Sequence, residues 1–212
     1  MLTKRLEKLI SVLPSCGVLA DVGCDHGYVG IEALKRGLAG RAVFVDISNE
    51  CLAKARRNCP KGLIERCEFV CQDGIGQIKA DTAVICGMGG LEIISILDNA
   101  EALPDALVLQ PMRNAREVRE KLSALYDITS DEKIYDGKFY DVITAVKRGG
   151  GCKLTEAELE FGRSNVNNPS ADFVAYLQHE RNKLNAIAAQ CSAREVSDRL
   201  DAVCKILEEI RR

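Results

Sequence analysis

The sequence predicts an α/β fold, an open and mainly parallel sheet covered by helices, followed by a helical hairpin. Five short apolar stretches alternate with helical patterns, and an Asp-Gly turn after them indicates one antiparallel hairpin at the end of the sheet. Beyond residue 168, two long segments repeat apolar residues in steps of four and three, as in coiled coils. We therefore divide the chain into residues 1–150, which form the sheet, and residues 151–212, which form the hairpin.

Composition limits the class of protein. The chain has 212 residues, of which 47% are hydrophobic, enough for one domain with a smaller appendage. A net charge of −2 excludes a globally basic nucleic-acid binder but leaves room for a local basic patch. The ten cysteines contain no Cys-x-x-Cys pair, so we expect free thiols and no metal. Neither a signal peptide nor a membrane-spanning run is evident, so we expect a cytoplasmic protein.

The first elements are an amphipathic helix over residues 2–13 and a buried strand over residues 17–22, which leads into a glycine turn and a helix from Tyr28. The turn glycines follow the pattern Gly-x-x-x-Gly, unlike the dinucleotide fingerprint Gly-x-Gly-x-x-Gly. Asp21 would repel phosphates but pairs well with an ammonium, while the turn amides suit a carboxylate. The stretch therefore favours S-adenosylmethionine over a dinucleotide.

The next strands each end in polar residues or glycines. Residues 42–46 end in Asp46, about twenty residues beyond the turn, where a ribose-binding acid belongs in such folds. Ile47 suits stacking on adenine, and Ser48 or Asn49 is expected to cap the following helix, which runs to about residue 58. Residues 67–71 lead to Asp73, an acceptor for the adenine amino group. Residues 82–86 lead to an open segment, Gly87-Met88-Gly89-Gly90, with Met88 as an adaptable wall, and then to a helix.

The last strands complete the sheet. Residues 107–111 form the fifth strand, and Asn114 with Glu117 has the form of a capping box for the next helix. Asp136-Gly137 forms the hairpin turn. The basic side chains that suit phosphate contacts flank these elements and the first helix: Lys4, Arg5, Lys8, Arg113, Arg116 and Arg119.

The C-terminal part begins after Arg148-Gly149-Gly150-Gly151, which marks the domain boundary. Thr155 and Glu158 form a capping box, and Asn168-Pro169 is expected to start the first long helix. Ser192 and Glu195 are expected to cap the last helix. The apolar seams predict that the two helices pack together; they are Phe173, Leu177, Leu184, Ile187 and Cys191 in one helix and Val196, Leu200, Val203, Leu207 and Ile210 in the other.

Four motifs resemble one family in order and spacing: Asp21-Val22-Gly23-Cys24-Asp25-His26-Gly27-Tyr28, Gly87-Met88-Gly89-Gly90, Leu109-Gln110-Pro111 and Asp136-Gly137-Lys138-Phe139-Tyr140. This is the bacterial tRNA (adenine-N1)-methyltransferase family that modifies the adenosine at tRNA position 22. The resemblance implies a Rossmann-like class I methyltransferase fold, S-adenosylmethionine as cofactor and tRNA as substrate. The chain departs from the expected family pattern at Gly30, where proline is expected, and at Gly27, where alanine is expected.

Residues and resemblance together give three sets of candidate site residues. The cofactor set is Asp21, Gly23, Gly27, Asp46, Ile47, Gln72, Asp73, Gly74 and Gly87. The substrate set is Met88, Gly89, Gly90, Pro111, Arg113 and Arg116. The catalytic set is Asp25, His26 and Gln110, of which Gln110 suits a hydrogen bond to the base edge and Asp25 suits a cationic ring or a proton.

Two other functions fit the residues. A small-molecule methyltransferase would use the same donor loop, but it would need a closed pocket lid rather than an open glycine segment. A non-catalytic tRNA-binding or scaffold protein would act through the helical hairpin, although Asp21, Asp46 and Asp73 argue against a decayed donor site. No feature of the sequence decides the oligomeric state, and a monomer is slightly favoured.

Overall fold

The computed structural model describes residues 2–147, 153–190 and 193–210, and within these ranges seven strands form one sheet. The strands are β1 (Cys16–Val22), β2 (Ala39–Asp46), β3 (Cys67–Cys71), β4 (Thr82–Met88), β5 (Ala106–Pro111), β6 (Asp127–Asp136) and β7 (Lys138–Val146). Their order across the sheet is β3-β2-β1-β4-β5-β7-β6. The first five are parallel, and β7 pairs antiparallel with both β5 and β6. The predicted α/β sheet with a terminal hairpin is confirmed.

Helices cover both faces of the sheet. In chain order they are α1 (Lys4–Ser11), α2 (Tyr28–Lys35), α3 (Asn49–Asn58), α4 (Gly90–Asp98), α5 (Ala115–Leu125), α6 (Glu156–Phe161), α7 (Arg163–Asn167), α8 (Ala171–Ala188) and α9 (Arg194–Ile210). One face packs against α1, α2 and α3 through side chains such as Leu9, Ile31 and Leu52. The other packs against α4 and α5 through Ile93 and Val118. Apolar strands buried on both faces explain the nearly continuous hydrophobic runs in the sequence.

The C-terminal helices carry a hydrophobic cluster of their own and also cover the outer edge of the sheet. Side chains of α8 and α9 pack together around Phe173, Leu177 and Val203, as the predicted hairpin requires. Ser164, Asn165 and Asp172 accept hydrogen bonds from three outward-facing amides of β6, those of Asp131, Lys133 and Tyr135, each at 2.9 Å. An edge strand with unpaired amides invites pairing with another chain, so these contacts protect it.

Three local predictions about helix ends and the hairpin seam are wrong. Asn168 ends α7, and Ser170 caps α8 because its hydroxyl accepts the Phe173 amide at 3.1 Å. Asn114 precedes α5 in a left-handed conformation, and its side chain donates to the Glu117 carboxylate rather than accepting from the backbone. Ile187 is 39% exposed although the seam predicted it to be buried.

The capping box of Thr155 and Glu158 is present as predicted. The proposed boundary at residues 148–151, the cap at Ser192 and the seam residue Cys191 lie outside the described residues. The division into residues 1–150 and 151–212 stays a prediction.

Candidate functional site

The carboxyl ends of β1, β2 and β4 and the segment after β3 surround a cavity of about 660 Å³, a volume typical of small-molecule sites. Eight of the nine predicted cofactor residues line it; the exception, Gly27, lies behind the turn against Phe44 and Ala55. Met88, Asp25 and His26 also line the cavity. Gly89, Gly90, Gln110, Pro111, Arg113 and Arg116 do not. The fold therefore gathers the predicted cofactor residues, but it separates most of the predicted substrate residues from them.

The turn after β1 requires glycine at position 23. Its backbone is left-handed, with φ of 67°, and a Cβ atom there would overlap the methyl group of Met88. The amides of Gly23 and Cys24 donate to the Val45 carbonyl at 2.8 and 3.1 Å, and the Gly27 amide donates to Cys24 at 2.7 Å. These three amides are engaged within the protein, so they are not the free donors that a carboxylate would need.

Asp21 is a buried acid at the end of β1. Its Oδ2 atom accepts the amide of Gly30 at 2.9 Å. Burial raises the pKa of Asp21 to about 7; the Gly30 hydrogen bond opposes this rise, and the nearby Asp46 charge adds to it. Proline at position 30 could not donate this hydrogen bond, and any side chain there would approach Phe44 to 2.6 Å. The departure from the family pattern at Gly30 thus matches local packing.

Asp46 is fixed by two backbone amides at the end of β2. Oδ1 accepts from Ser48 at 2.9 Å, and Oδ2 accepts from Asp25 at 3.2 Å. These contacts turn the carboxylate towards the cavity while leaving lone pairs for a further donor. Beside it Ile47 is 74% exposed, an uncommon position for an isoleucine and one suited to packing against a flat ring at the cavity rim.

Asp25 and His26 lie at the cavity mouth. Burial alone would raise the pKa of Asp25, but hydrogen bonds from Lys54 and Cys51 and the neighbouring charges of His26 and Lys54 together hold it below its ordinary value. His26 Nε2 is 3.5 Å from Asp25 Oδ2, and its ring stacks on Tyr28 with centroids 5.2 Å apart. Asp25 is therefore a persistent anion, which suits charge stabilisation better than proton uptake.

Gln110 is fully buried, and its side chain bonds within the protein. Its Oε1 atom accepts from Arg5 Nη1 at 2.9 Å, and its Nε2 atom donates to the Pro111 carbonyl at 3.2 Å. This arrangement does not support the prediction that Gln110 contacts the target base, because Gln110 does not line the cavity and its amide oxygen already accepts from Arg5, which does line it. Sequence reasoning placed Arg5 only among phosphate contacts and missed Thr3 and Leu6, which also line the cavity.

The glycine segment after β4 is only partly open. Gly87 is exposed, with φ of 80°, and Gly89 lies near Arg113. Gly90 is buried; its amide donates to the Arg113 carbonyl at 2.9 Å, and a Cβ atom there would be 2.5 Å from the Asn114 carbonyl oxygen. Gly90 therefore permits close packing of two chain segments rather than access of a ligand.

The basic side chains around α5 differ in their availability. Arg119 is buried in ion pairs with Asp131 and Asp141, each with a shortest distance of 2.7 Å, so its predicted phosphate contact is wrong. Arg116 pairs with Glu156 at 2.7 Å and with Glu160 at 3.4 Å. Arg113 is exposed and makes no ion pair within the described ranges. These three residues line a second cavity of about 370 Å³.

The two remaining basic candidates on α1 are also paired. Lys4 binds Asp172 at 2.6 Å, and Lys8 binds Glu132 at 2.7 Å.

Among the described residues, no group of three or more His, Cys, Asp or Glu side chains could hold a metal ion. No helix in the same part of the chain is both long and apolar enough to span a membrane.

Comparison with family models identifies the family of this chain. The family model for tRNA (adenine(22)-N(1))-methyltransferase matches residues 19–212. The chain is 34% identical to the tRNA (adenine(22)-N(1))-methyltransferase of Bacillus subtilis over 153 residues, which cover 68% of this chain and 64% of that protein, slightly less than two thirds of it.

Solved structures agree over nearly the whole chain. The M. capricolum protein in complex with S-adenosylhomocysteine has a TM-score of 0.88 at 25% identity, covering 98% of each chain. The Streptococcus pneumoniae protein Sp1610 in complex with S-adenosyl-L-methionine has a TM-score of 0.86 at 25% identity, covering 98% of this chain and all of that one.

Proposed function

Because this chain belongs to the tRNA (adenine(22)-N(1))-methyltransferase family, we propose that it methylates N1 of the adenosine at position 22 of tRNA, with S-adenosylmethionine as donor. The observation that carries the proposal is the single cavity into which Asp21, Asp46 and Asp73 converge from successive strand ends. Three acids beside a glycine turn suit a donor with an ammonium, a ribose diol and an adenine amino group, because each of these is a hydrogen-bond donor.

The donor would lie across the carboxyl ends of the strands, with its adenine at β2 and β3 and its amino-acid part between β1 and β4. Asp46 would bind the ribose, and Ile47 and Asp73 would hold the adenine with Gln72 and Gly74, at the end of the cavity formed by β2 and β3. Asp21, Gly23 and Gly87 would surround the amino-acid part between β1 and β4, where Met88 covers Gly23. When bound, S-adenosylmethionine supplies an electrophilic methyl group on a cationic sulfur and departs as S-adenosylhomocysteine.

The chain's own residues would supply alignment rather than strong acid–base catalysis. Adenine N1 carries a free lone pair, so it attacks the methyl carbon without prior deprotonation, and holding both groups in line lowers the barrier by several kcal/mol. The ring becomes cationic as the bond forms, and the anionic Asp25 at the mouth would stabilise that charge. His26, stacked on Tyr28, would orient Asp25 or the base.

The target adenosine must leave its base pair, because N1 lies on the Watson–Crick edge. Met88 and Gly89 would form the surface on which the extruded base approaches, and Pro111 follows on the neighbouring strand. Arg113 would bind an adjacent phosphate, since it lies beside Gly89 and has no acidic partner in the described ranges. Arg116 would contribute less, since Glu156 and Glu160 neutralise it. A tRNA substrate would fit the cytoplasmic location that we expect from the sequence.

Mass spectrometry of nucleosides tests the proposal directly. A tRNA transcript with adenosine at position 22 should gain 1-methyladenosine with S-adenosylmethionine, and a transcript with guanosine at that position should not. Asp46→Ala should lower S-adenosylhomocysteine affinity at least about tenfold in calorimetry, since a ribose hydrogen bond to a charged group is worth 1.5–3 kcal/mol. Asp201→Ala, an exposed acid on α9, is the matched control and should change nothing.

Each alternative function has its own outcome in this experiment. Methylation of small metabolites but not of tRNA would favour a small-molecule enzyme. Absence of any heat of binding with S-adenosylhomocysteine would favour a scaffold and would contradict the proposal.

A further inference from the structure

Two cysteine thiols outside the cavity are in direct contact. All eight described cysteines are free thiols, and the Sγ atom of Cys59 lies 3.3 Å from the Sγ atom of Cys67. An S–S bond is about 2.0 Å long, so the two sulfurs need to approach by only about 1.3 Å. Small rotations of the two side chains supply a movement of this size, so the pair is well placed for a disulfide bond.

The fold holds both thiols in this position. Cys59 ends α3, and its amide donates to the Ala55 carbonyl at 3.0 Å. Cys67 begins β3, where it pairs with Ala42 of β2. The preceding residue, Arg66, donates through Nε and Nη2 to two carbonyls of β2, at 2.7 and 2.6 Å. The contact between the thiols therefore follows from the packing of α3 and β3 against β2.

The two thiols differ in their access to solvent. Cys59 is only 8% exposed, whereas Cys67 is partly exposed and donates to the Leu63 carbonyl at 3.2 Å. Burial and the Cys59 thiol raise the pKa of Cys67, and the charges of Arg66 and Arg56 oppose this rise. Cys67 is therefore the more accessible thiol but a weak general nucleophile, and the short distance to Cys59 is what favours a bond between them.

We propose that Cys59 and Cys67 form an oxidation site, at which a small organic disulfide such as oxidised glutathione converts the two thiols into an intrachain disulfide. The thiolate of Cys67 attacks one sulfur of the reagent, whose S–S bond breaks and releases one small thiol. The thiolate of Cys59 then attacks the Cys67 sulfur of this mixed disulfide, and the second small thiol leaves. The two protein thiols lose two electrons and two protons, which the reagent gains as it becomes two thiols.

The oxidation site lies at the opposite end of β3 from the cavity. Cys67 pairs with Ala42 and Cys71 pairs with Asp46, so Cys67 is four residues, roughly 13 Å, from the strand end beside the cavity. The disulfide closes a ring from Cys59 to Cys67 around a short 3₁₀ helix and joins the end of α3 to the edge strand β3. Because a closed ring restricts the unfolded chain, oxidation should stabilise the fold and leave the cavity unchanged.

Peptide mapping tests the oxidation site. The intact chain is treated with oxidised glutathione, its remaining thiols are blocked with iodoacetamide, and it is digested with trypsin without reduction. Trypsin cleaves on both sides of each cysteine, so mass spectrometry should find residues 58–61 joined to residues 67–79. Cys71 lies in the second peptide, so Cys71→Ser is the matched control and should keep the link, whereas Cys67→Ser should lose it.

Thermal unfolding and calorimetry measure the consequences of oxidation. The Tm of the unaltered chain should rise by about 4 °C or more on oxidation, because the ring is closed, and the Tm of Cys67→Ser should stay within about 1 °C. Cys59→Ala should behave as Cys67→Ser does. The affinity of the unaltered chain for S-adenosylhomocysteine should change by less than about twofold on oxidation, because the cavity is remote from the disulfide.

The opposite results overturn the proposal in distinguishable ways. A glutathione adduct on Cys67 without the linked peptides would show that the two sulfurs cannot close the bond. A link that Cys71→Ser abolishes would assign the disulfide to Cys71 instead of Cys67. A fall in Tm on oxidation would contradict the stabilising effect, and a loss of S-adenosylhomocysteine affinity that Cys67→Ser prevents would contradict the separation of the site from the cavity.

Discussion

At the scale of single residues, Asp21 shows how burial changes the titration of a carboxyl group. An ordinary aspartate has a pKa near 3.9, and burial at the end of β1 raises that of Asp21 to about 7. Between about pH 4 and 7 the folded chain therefore binds more protons at this site than the unfolded chain, so this group lowers stability as pH rises through that window. An ammonium group bound in the cavity would offset this loss of stability, because it would favour the ionised carboxylate of Asp21.

Donor binding should consequently depend on pH. In the proposed complex the ammonium of S-adenosylhomocysteine would lower the pKa of Asp21, so binding should release a proton wherever the free carboxyl is protonated. Affinity should rise by up to about tenfold per pH unit from pH 5.5 towards 7 and then level off. Calorimetry in two buffers of different ionisation enthalpy measures the released proton. Asp21→Asn should abolish the dependence, and a flat profile in the unaltered protein would contradict this role.

At the scale of elements, the turn between β1 and α2 determines the shape of the cavity. Gly23 and Gly37 both have left-handed backbones, with φ of 67° and 70°, so alanine at either position is strained. They differ in their surroundings, because a Cβ atom at position 23 overlaps Met88 and one at position 37 meets nothing within 4 Å. Comparing the alanine variants at these two positions therefore separates the effect of backbone strain from the effect of changing the cavity.

Both alanine variants should lose about 1 kcal/mol of unfolding free energy in urea titrations, since each forces a non-glycine residue into the left-handed region. Only Gly23→Ala should also weaken S-adenosylhomocysteine binding, by about tenfold or more, because the displaced Met88 side chain enters the cavity. Met88→Ala in that background should restore part of the affinity. Equal ligand affinities for the two single variants would show that the Met88 contact is unimportant.

At the scale of the whole molecule, Arg119 joins the C-terminal helices to the sheet. It reaches from α5 to Asp131 on β6 and Asp141 on β7, and it donates to the carbonyls of Leu159 and Glu160, each at 3.2 Å. Lys133 completes the network with an ion pair to Asp141 at 2.7 Å. Because the ions are buried, the network contributes less through net attraction than through the cost of leaving one partner alone.

Arg119→Met should therefore lower the free energy of unfolding by about 3–5 kcal/mol, since buried Asp131 would lose its main counter-charge and Asp141 would keep only Lys133. Arg116→Met, on the same helix but with partly exposed ion pairs, should cost less than about 1 kcal/mol. Urea unfolding of both variants gives the comparison. Similar small losses for the two would mean that Asp131 and Asp141 are adequately satisfied without Arg119.

Periodicity and spacing were sufficient to predict the strands and the acids at their ends. Residues 67–71 were predicted as a strand with the bounds that the structure has, because an apolar run between a turn and an Asp-Gly pair has few alternatives. The position of Asp46 follows from the βαβ unit, whose length is set by one helix and two strands. Ser170 was missed as a cap because the sequence offers Asn168 and Ser170 two residues apart, and only backbone geometry chooses between them.

The sequence by itself determined the parallel sheet, the order of its elements and the convergence of Asp21, Asp46 and Asp73, because those depend on local patterns and on the rules for connecting strands. Only the tertiary structure decided that Arg5 reaches Gln110, 105 residues away, that Arg119 is buried while Arg113 is exposed, and that Gly90 serves packing. The reason is physical: the environment of a side chain is set by elements distant along the chain, and a local pattern contains no information about which of them pack against it.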